Sequence, residues 1–186
     1  MVPLTQLWMP ILLSAVFVFI ASSLVHMVIK WHNQDYHQLP NEDAIMAAIR
    51  KGAPAPGMYM FPNCPDHKDL KSEAMKKKFE EGPMGLLYLS PAGMPNMGKS
   101  LGFWFLFNLV VAFCVAYLVS RTVPEGAHYL KVFRVAGTVA FLAYAAGNVP
   151  SSIWMGKPWK VTFKEIGDGL IYGLVTAGAF GWLWPR

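Results

Sequence analysis

The C-terminal part of the chain reads Gly169-Leu-Ile-Tyr-Gly173-Leu-Val-Thr-Ala177-Gly-Ala-Phe-Gly181. On a helix, residues four apart lie on the same face, so Gly169, Gly173, Ala177 and Gly181 form one stripe of small residues. In water, each interior glycine destabilises a helix by about 1 kcal/mol relative to alanine. In lipid, a spanning backbone must satisfy its own hydrogen bonds, and small residues let two helices approach closely. The pattern therefore predicts a transmembrane helix that packs against another helix.

The whole chain is too apolar for an ordinary soluble domain, because 54% of its 186 residues are hydrophobic and 15% are charged. A membrane-spanning helix needs about 20 apolar residues. Segments 7–29, 101–118, 129–155 and 166–184 fit this requirement and predict an all-α membrane protein with four transmembrane helices. We expect 1–30 to form the first transmembrane helix, 31–100 a small α/β extramembrane segment, and 101–186 a three-helix antiparallel transmembrane unit.

The third apolar segment carries a second stripe of small residues. Ala136, Ala140, Ala143 and Gly147 follow one another at helical spacing, so they share one face. Since the loop between this segment and the last one is short, the two helices should be antiparallel neighbours. We expect this stripe to pack against the C-terminal stripe.

Residues 31–100 contain signals for two short helices and two short strands. Asn41 precedes the helical pattern 42–51, which has acids in its first turn and bases in its last. Ser72 precedes a second helical pattern that ends at Gly82. Segments 58–61 and 86–89 have the length and composition of strands, and we expect them to pair. Together these pieces predict a small, partly folded cap.

The basic residues indicate topology rather than nucleic-acid binding. The formal net charge is +5, but the Lys and Arg residues are interspersed with acids and flank the apolar segments. Such residues concentrate on the cytoplasmic side of a membrane protein, and here they concentrate in 31–100. The pattern predicts that 31–100 is cytoplasmic and that both termini lie outside. Membrane lipids are the expected partners, and nucleic acid is not.

The segment Gly93-Met-Pro-Asn-Met-Gly98-Lys99-Ser100 matches the spacing of a phosphate-binding loop. A nucleotide domain also needs several parallel strands, which this segment's surroundings are too short to supply. We therefore expect no nucleotide. Lys99 should lie at the membrane interface and Ser100 should cap the second spanning helix, where the helix start could also hold a lipid phosphate.

Polar residues within the predicted spans are the candidate site residues, because burying them in lipid is costly. Asp168 is the main candidate, and Asn108, Asn148 and Lys99 are the others. Asp168 could form a structural polar contact with Lys99, Asn148 or Lys157, or it could be a proton or substrate site. The structural contact is the favoured interpretation because Asp168 lies near the start of its span.

Histidines and cysteines give weaker signals. His26 follows Ser22 by four residues, a spacing that permits a pigment ring to lie over the histidine, but interfacial histidines are common. Cys64 and His67 are metal-capable, and His32 and His37 lie elsewhere in the same segment, but no second cysteine pair completes a zinc-ligand set. We therefore expect no metal, no cofactor and no catalytic residue, and keep pigment contact at His26 as an alternative.

Several motifs together resemble a family of small bacterial inner-membrane proteins with four transmembrane helices. The similarity runs nearly end to end and rests on Leu39-Pro-Asn-Glu-Asp43, Gly57-Met-Tyr-Met-Phe-Pro62, Asn96-Met-Gly-Lys-Ser-Leu101, Ser152-Ile-Trp154, Asp168-Gly-Leu-Ile-Tyr172 and Phe180-Gly-Trp-Leu-Trp-Pro185. The resemblance implies a location in the bacterial inner membrane. It implies no substrate and no catalytic residue.

Two functions follow as hypotheses. The first is a non-catalytic accessory subunit of a larger respiratory or photosynthetic membrane complex, which packs against other membrane subunits through its small-residue faces. The second is a small transporter or membrane enzyme centred on Asp168. The abundance of packing signals favours the first.

The predicted topology can be checked with a membrane-impermeant thiol reagent. In a variant without Cys64 and Cys114, a single cysteine introduced between residues 65 and 80 should react only after the membrane is opened, because this segment is expected inside. Arg186→Cys in the same background should react in intact spheroplasts. The opposite labelling of the two variants would reverse the assignment.

Overall fold

A computed structural model describes residues 1–66 and 68–186. The chain is mostly helical, with helices α1 Trp8–Ser23, α2 Glu42–Gly52, α3 Glu73–Glu81, α4 Met97–Thr122, α5 Tyr129–Ala145, α6 Val149–Trp154 and α7 Trp159–Trp182 and strands β1 Gly57–Phe61 and β2 Gly85–Leu89. The described residues divide into a helical unit of Met1–Tyr36, Asn96–Ile153 and Lys157–Arg186 and a small unit of His37–Pro95 with Trp154–Gly156. Residues 31–36, which the sequence assigned to the extramembrane segment, thus belong to the helical unit.

Three helical segments are long and apolar enough to cross a membrane. Within the described residues they are Leu4–Ile29, Met97–Thr122 and Tyr129–Trp154, and they correspond to the first three predicted spans. The fourth predicted span lies in α7, which is long enough but is not among these three segments. Its first half carries Lys160, Lys164, Glu165 and Asp168, which lower its mean hydropathy.

The first apolar segment does not end as a regular α-helix. α1 continues into a π-helical turn over Leu24–Ile29, and Lys30 then takes a left-handed conformation with φ of 55°. A π turn shifts the positions of the residues that follow it around the helix axis, and such turns are frequent at functional sites. The chain therefore turns sharply just before residues 31–36.

The third apolar segment is interrupted near its end. After α5, residues Ala146–Asn148 form a 3₁₀ turn, and α6 follows. Pro150 explains the interruption, because it lacks an N–H group and its ring would clash with the carbonyl of Ala146 in a continuous α-helix.

The four long helices of the helical unit form a ring. α1 packs against α4 and α7, and α5 packs against the same two helices. One hydrophobic core includes Leu7, Val115, Val132 and Phe180, all fully buried. The C-terminal residues meet the α4–α5 loop, since Trp184 Nε1 donates a hydrogen bond to the Pro124 carbonyl at 3.0 Å.

The closest packing is between α5 and α7, but it uses a different face of α5 from the predicted one. A Cβ added at Gly173 would lie 3.1–3.2 Å from Phe141, and one at Gly169 would lie 2.8 Å from the Ala145 Cβ. The Ala177 Cβ lies against Gly137 in the same way.

The prediction that the α5 stripe packs as one face against the C-terminal stripe is therefore wrong. Ala136 and Ala140 are fully buried, but they belong to the hydrophobic core, and Ala143 and Gly147 are exposed. Gly181 meets the ring of Tyr129, which is large rather than small. Residues 137, 141 and 145 lie about 100° around α5 from 136 and 140, and it is this face that meets α7.

The small unit contains the predicted helices and strands. β1 and β2 pair antiparallel, with Gly57 opposite Leu89 and Phe61 opposite Gly85, and the Ser72 hydroxyl caps α3 by accepting a hydrogen bond from the Met75 N–H at 3.2 Å. Asn41 precedes α2 as expected, but its φ is 57° and among the described residues its side chain forms no cap hydrogen bond.

The start of α4 differs from the prediction. Asn96, not Ser100, caps the helix, because its side chain accepts a hydrogen bond from the Lys99 N–H at 3.0 Å. Lys99 and Ser100 lie inside the first turn. The strand that precedes this segment pairs antiparallel with β1, whereas a phosphate-binding loop follows a strand of a parallel sheet.

The α5–α7 contact predicts the effect of enlarging Gly173. Gly173→Leu should lower the free energy of unfolding by about 1–3 kcal/mol, because the new side chain has to displace the backbone of α5 at Phe141. Gly102→Leu is the matched control, since a Cβ at Gly102 meets nothing within 4 Å. Thermal unfolding in detergent measures both. An equal loss for the two variants would contradict the close approach of α5 and α7.

Candidate functional site

Asp168 is buried and pairs with a residue from the other end of the chain. It is 6% exposed, and its Oδ2 lies 2.8 Å from Nε2 of His32. The partners expected from the sequence bond elsewhere: Lys157 pairs with Glu165, and Asn148 donates to the Tyr144 carbonyl. Those pairings were wrong because they considered only residues at the neighbouring ends of the last three predicted spans. In the structure α1 packs against α7, and the residues that follow α1 reach Asp168 instead.

Lys99, the remaining expected partner, is also elsewhere. Its Nζ lies over the ring of Phe103, 5.9 Å from the ring centroid. This places the charge one turn along its own helix, as a cation–π contact.

His32 joins two carboxylates. Its Nδ1 lies 2.8 Å from Asp35 Oδ2, while its Nε2 faces Asp168. Lys164 donates hydrogen bonds to Asp35 Oδ1 and, at 2.6 Å, to the Trp31 carbonyl. The side chains of Asp35 and Asp168 are 4% and 8% exposed, so both depend on these partners for charge compensation.

The charge environment holds Asp35 ionised. The hydrogen bond from Lys164 lowers the pKa of the Asp35 carboxyl below its usual value; burial opposes this shift, and the hydrogen bond with His32 adds to it. Asp35 therefore remains an acceptor for His32 at neutral pH.

His26 lies beside this network because of the π turn. Its ring stacks on that of His32, with the centroids 5.0 Å apart and the planes inclined by 18°. Its Nδ1 lies 3.0 Å from the Ser22 carbonyl oxygen, and its Nε2 lies 4.0 Å from Asp168 Oδ2. The predicted relation between Ser22 and His26 is thus a local hydrogen bond. Pigment contact stays a prediction.

A cavity of about 850 Å³ lies in the ring of helices next to Asp168. All four long helices contribute to it, and its lining residues are Ser22, Ser23, His26, Met27, Met97, Leu101, Trp104, Phe107, Ala143, Tyr144, Gly147, Asn148, Glu165, Asp168 and Tyr172. Met27, Met97 and Leu101 are also exposed, so part of the rim is apolar. Its volume is within the range of small-molecule sites, about 300–1,000 Å³.

Aromatic rings form one wall of this cavity. Trp104 contacts the rings of Phe107, Tyr144 and Tyr172, with centroids 5.7–6.4 Å apart. Trp104 Nε1 donates a hydrogen bond to Ser22 Oγ at 2.8 Å, which fixes the indole between α1 and α4. The rings therefore present a fixed surface.

Asn108, predicted as an intramembrane polar residue, supports this wall from behind. It is fully buried, and its Oδ1 accepts a hydrogen bond from the Tyr144 hydroxyl at 3.2 Å. Asn108 therefore orients an aromatic side chain rather than lining the cavity.

Two residues that line the cavity each have a buried polar atom that lacks a partner among the described residues. These atoms are Oδ1 of Asp168 and the hydroxyl oxygen of Tyr172, which lie one turn apart on α7. Buried polar groups are nearly always hydrogen-bonded, so these two atoms are exceptions among the described residues.

Sequence reasoning singled out Asp168 and His26, and noted His32 only as a metal-capable side chain, but did not connect His32, Asp35 or Lys164 with Asp168. One signal was present: Lys164 and Asp168 are four residues apart on α7 and so share a face. His32 and Asp35 had no comparable signal, because they lie in a turn segment whose position depends on Lys30. Cys64 is 3.1 Å from the Asp66 carbonyl, and His67 lies outside the described residues.

No family model, no curated protein and no solved structure matches this chain. The function is therefore inferred from the geometry of the site.

The Lys164–Asp35 pair predicts a stability difference between two lysines of α7. Lys164→Met should lower the unfolding temperature in detergent by several degrees, because it leaves the Asp35 carboxylate buried without its cation. Lys160→Met, one turn earlier at an exposed position, should change it little. Similar unfolding temperatures for both variants would mean that the ion pair does not stabilise the fold.

Proposed function

We propose that this protein is a multi-pass membrane protein that binds an amphipathic small molecule in the cavity beside Asp168, as a transporter or binding protein. The observation that carries the proposal is the cavity itself, with a partly apolar rim, an aromatic wall and two unpartnered polar atoms. The proposal modifies the second of the two functions inferred from the sequence, a small transporter or membrane enzyme centred on Asp168, by replacing the enzyme with a binding protein.

The proposal includes α7 as a fourth transmembrane helix. α7 has 24 residues and is about 36 Å long, which exceeds the hydrocarbon thickness of about 30 Å. It packs against α1 and α5, both of which belong to apolar segments that can span. Its charges lie in its first half, where Lys164 and Glu165 have ionic partners. Pairing of this kind makes charges near a span end tolerable.

The lining residues define the ligand's chemistry. Met27, Met97 and Leu101 favour an apolar part that arrives through the lipid phase, and the Trp104 wall favours a flat or ring-containing body. At the polar end, Asp168 Oδ1 can accept and the Tyr172 hydroxyl can donate or accept a hydrogen bond. A head group with hydrogen-bond donors fits this end.

An accessory role in a larger membrane complex is the competing proposal, and it predicts a different experimental result. A subunit that acts only by packing needs no occupied cavity, and its binding to partner subunits would depend on its outer surface. The expected bacterial inner-membrane location, with the termini outside and 31–100 in the cytoplasm, is common to both proposals.

Filling the cavity tests the binding proposal. Ala143 lines the cavity and is exposed, so Ala143→Trp should occupy ligand space without disturbing the core. Leu142→Trp is the matched control, because Leu142 is the preceding exposed residue of α5 and does not line the cavity. Protein from the native membrane would be analysed by native mass spectrometry and by extraction of bound small molecules.

A small molecule should accompany the wild type and Leu142→Trp and decrease at least tenfold in Ala143→Trp. If all three proteins carry the same molecules, or none, the binding proposal is wrong. Co-isolation of all three with one multi-subunit complex and with no small molecule would favour the accessory role.

A further inference from the structure

We propose that His26, His32 and Asp168 form a binding site for a divalent transition-metal ion. One ligand atom from each residue lies within 4.8 Å of the other two, in a group that draws on α7 and the two sides of the turn at Lys30. In a tetrahedral zinc site with bonds of about 2.0–2.1 Å, neighbouring ligand atoms are about 3.3 Å apart. The observed separations of 2.8 Å and 4.0 Å from Asp168 Oδ2 lie on either side of that value.

Both histidines are oriented as metal ligands are. The Nδ1 atom of His26 faces the Ser22 carbonyl oxygen, which can only accept a hydrogen bond, so this nitrogen carries the hydrogen. The Nδ1 atom of His32 faces the Asp35 carboxylate in the same way. Metal-binding histidines typically donate their other N–H to a carboxylate or a carbonyl, which fixes the tautomer. Here this leaves both Nε2 atoms available toward Asp168.

Asp168 supplies the anionic ligand. Its carboxylate is buried, and within the described part of the chain its Oδ1 has no hydrogen-bond partner. Lys164 compensates the charge of Asp35, not that of Asp168. A cation bound between Asp168 and the two imidazoles would therefore compensate the remaining carboxylate.

The donor set determines the class of metal. Two imidazoles and one carboxylate favour zinc or ferrous iron over calcium and magnesium, which prefer oxygen ligands. His26 and Asp168 also line the cavity, so three protein ligands would leave a coordination position on its side. Sites of this kind keep an open position for water or substrate.

A proton is the alternative occupant. The 2.8 Å separation of His32 Nε2 and Asp168 Oδ2 requires either a hydrogen on the nitrogen or a cation shared by the two atoms. A protonated His32 would hold the same two carboxylates without any metal. The experiment therefore has to measure metal directly.

Elemental analysis of protein purified without chelators is the first measurement. The wild type should contain about one zinc or iron ion per chain. His26→Gln, His32→Gln and Asp168→Asn should each lower the metal content at least fivefold in the folded, monodisperse fraction. His26→Gln is the variant least prone to misfolding, because the His26 side chain is 52% exposed. His37→Gln, at an exposed position outside the group, should retain the metal.

Addition of Co²⁺ to chelator-treated protein is the second measurement, and visible d–d absorption should appear with the wild type and be lost with His26→Gln. Wild-type protein with neither stoichiometric metal nor a Co²⁺ spectrum would show that a proton alone occupies the site. Metal content unchanged in all three variants would place the metal elsewhere and would also overturn the proposal. Neither measurement depends on the cavity's ligand, so metal binding and small-molecule binding can fail separately.

Discussion

The burial of the Asp168 carboxyl group is the constraint on which the arrangement of the surrounding residues depends. A carboxyl group that is 6% exposed in an apolar helix bundle is tolerated only with a charged or hydrogen-bonding partner. The partner is His32, which comes from the opposite end of the chain. This contact requires α1 to lie beside α7 and the chain to turn back sharply at Lys30. Gly167 contributes as well, because a Cβ there would lie 3.2 Å from the ring of Trp31.

The compensation continues outward from Asp168. His32 connects it to Asp35, and Lys164 holds Asp35 and the Trp31 carbonyl. Each buried charged group thus has a partner, and the network ends at Lys164 in the first half of α7. A linked network of this kind is more costly to break than separate surface pairs, because removing one member leaves another buried without compensation. Asp35 of this network orients His32, and the Ser22 carbonyl orients His26, as metal binding would require.

Different faces of α5 form the close contact with α7 and line the cavity inside the ring of helices. The face with Gly137, Phe141 and Ala145 touches α7 so closely that Gly169 and Gly173 have no room for side chains. Another face carries Ala143 and Gly147, which are too small to fill the space inside the ring. The cavity therefore exists beside a tightly packed interface, and the aromatic residues of α4 and α7 supply its wall. A preformed cavity beside a rigid helix contact is typical of small-molecule binding sites, which are usually largely formed before the ligand binds.

The sequence determined the positions of three helices that can span a membrane, the two short strands and the expectation of a polar contact at Asp168. These features depend on local composition, on spacing along one element and on the cost of a charge in an apolar segment, all of which can be read without knowing the neighbours. The sequence did not determine which face of α5 meets α7, since Ala136, Ala140, Gly137 and Ala145 are all small and only the rotation of the helix distinguishes them. It also did not reveal that His32 is the partner of Asp168. That pairing depends on the π turn and the left-handed conformation of Lys30, which no local sequence pattern predicts. It also depends on the packing of α1 against α7, which only the tertiary structure decided.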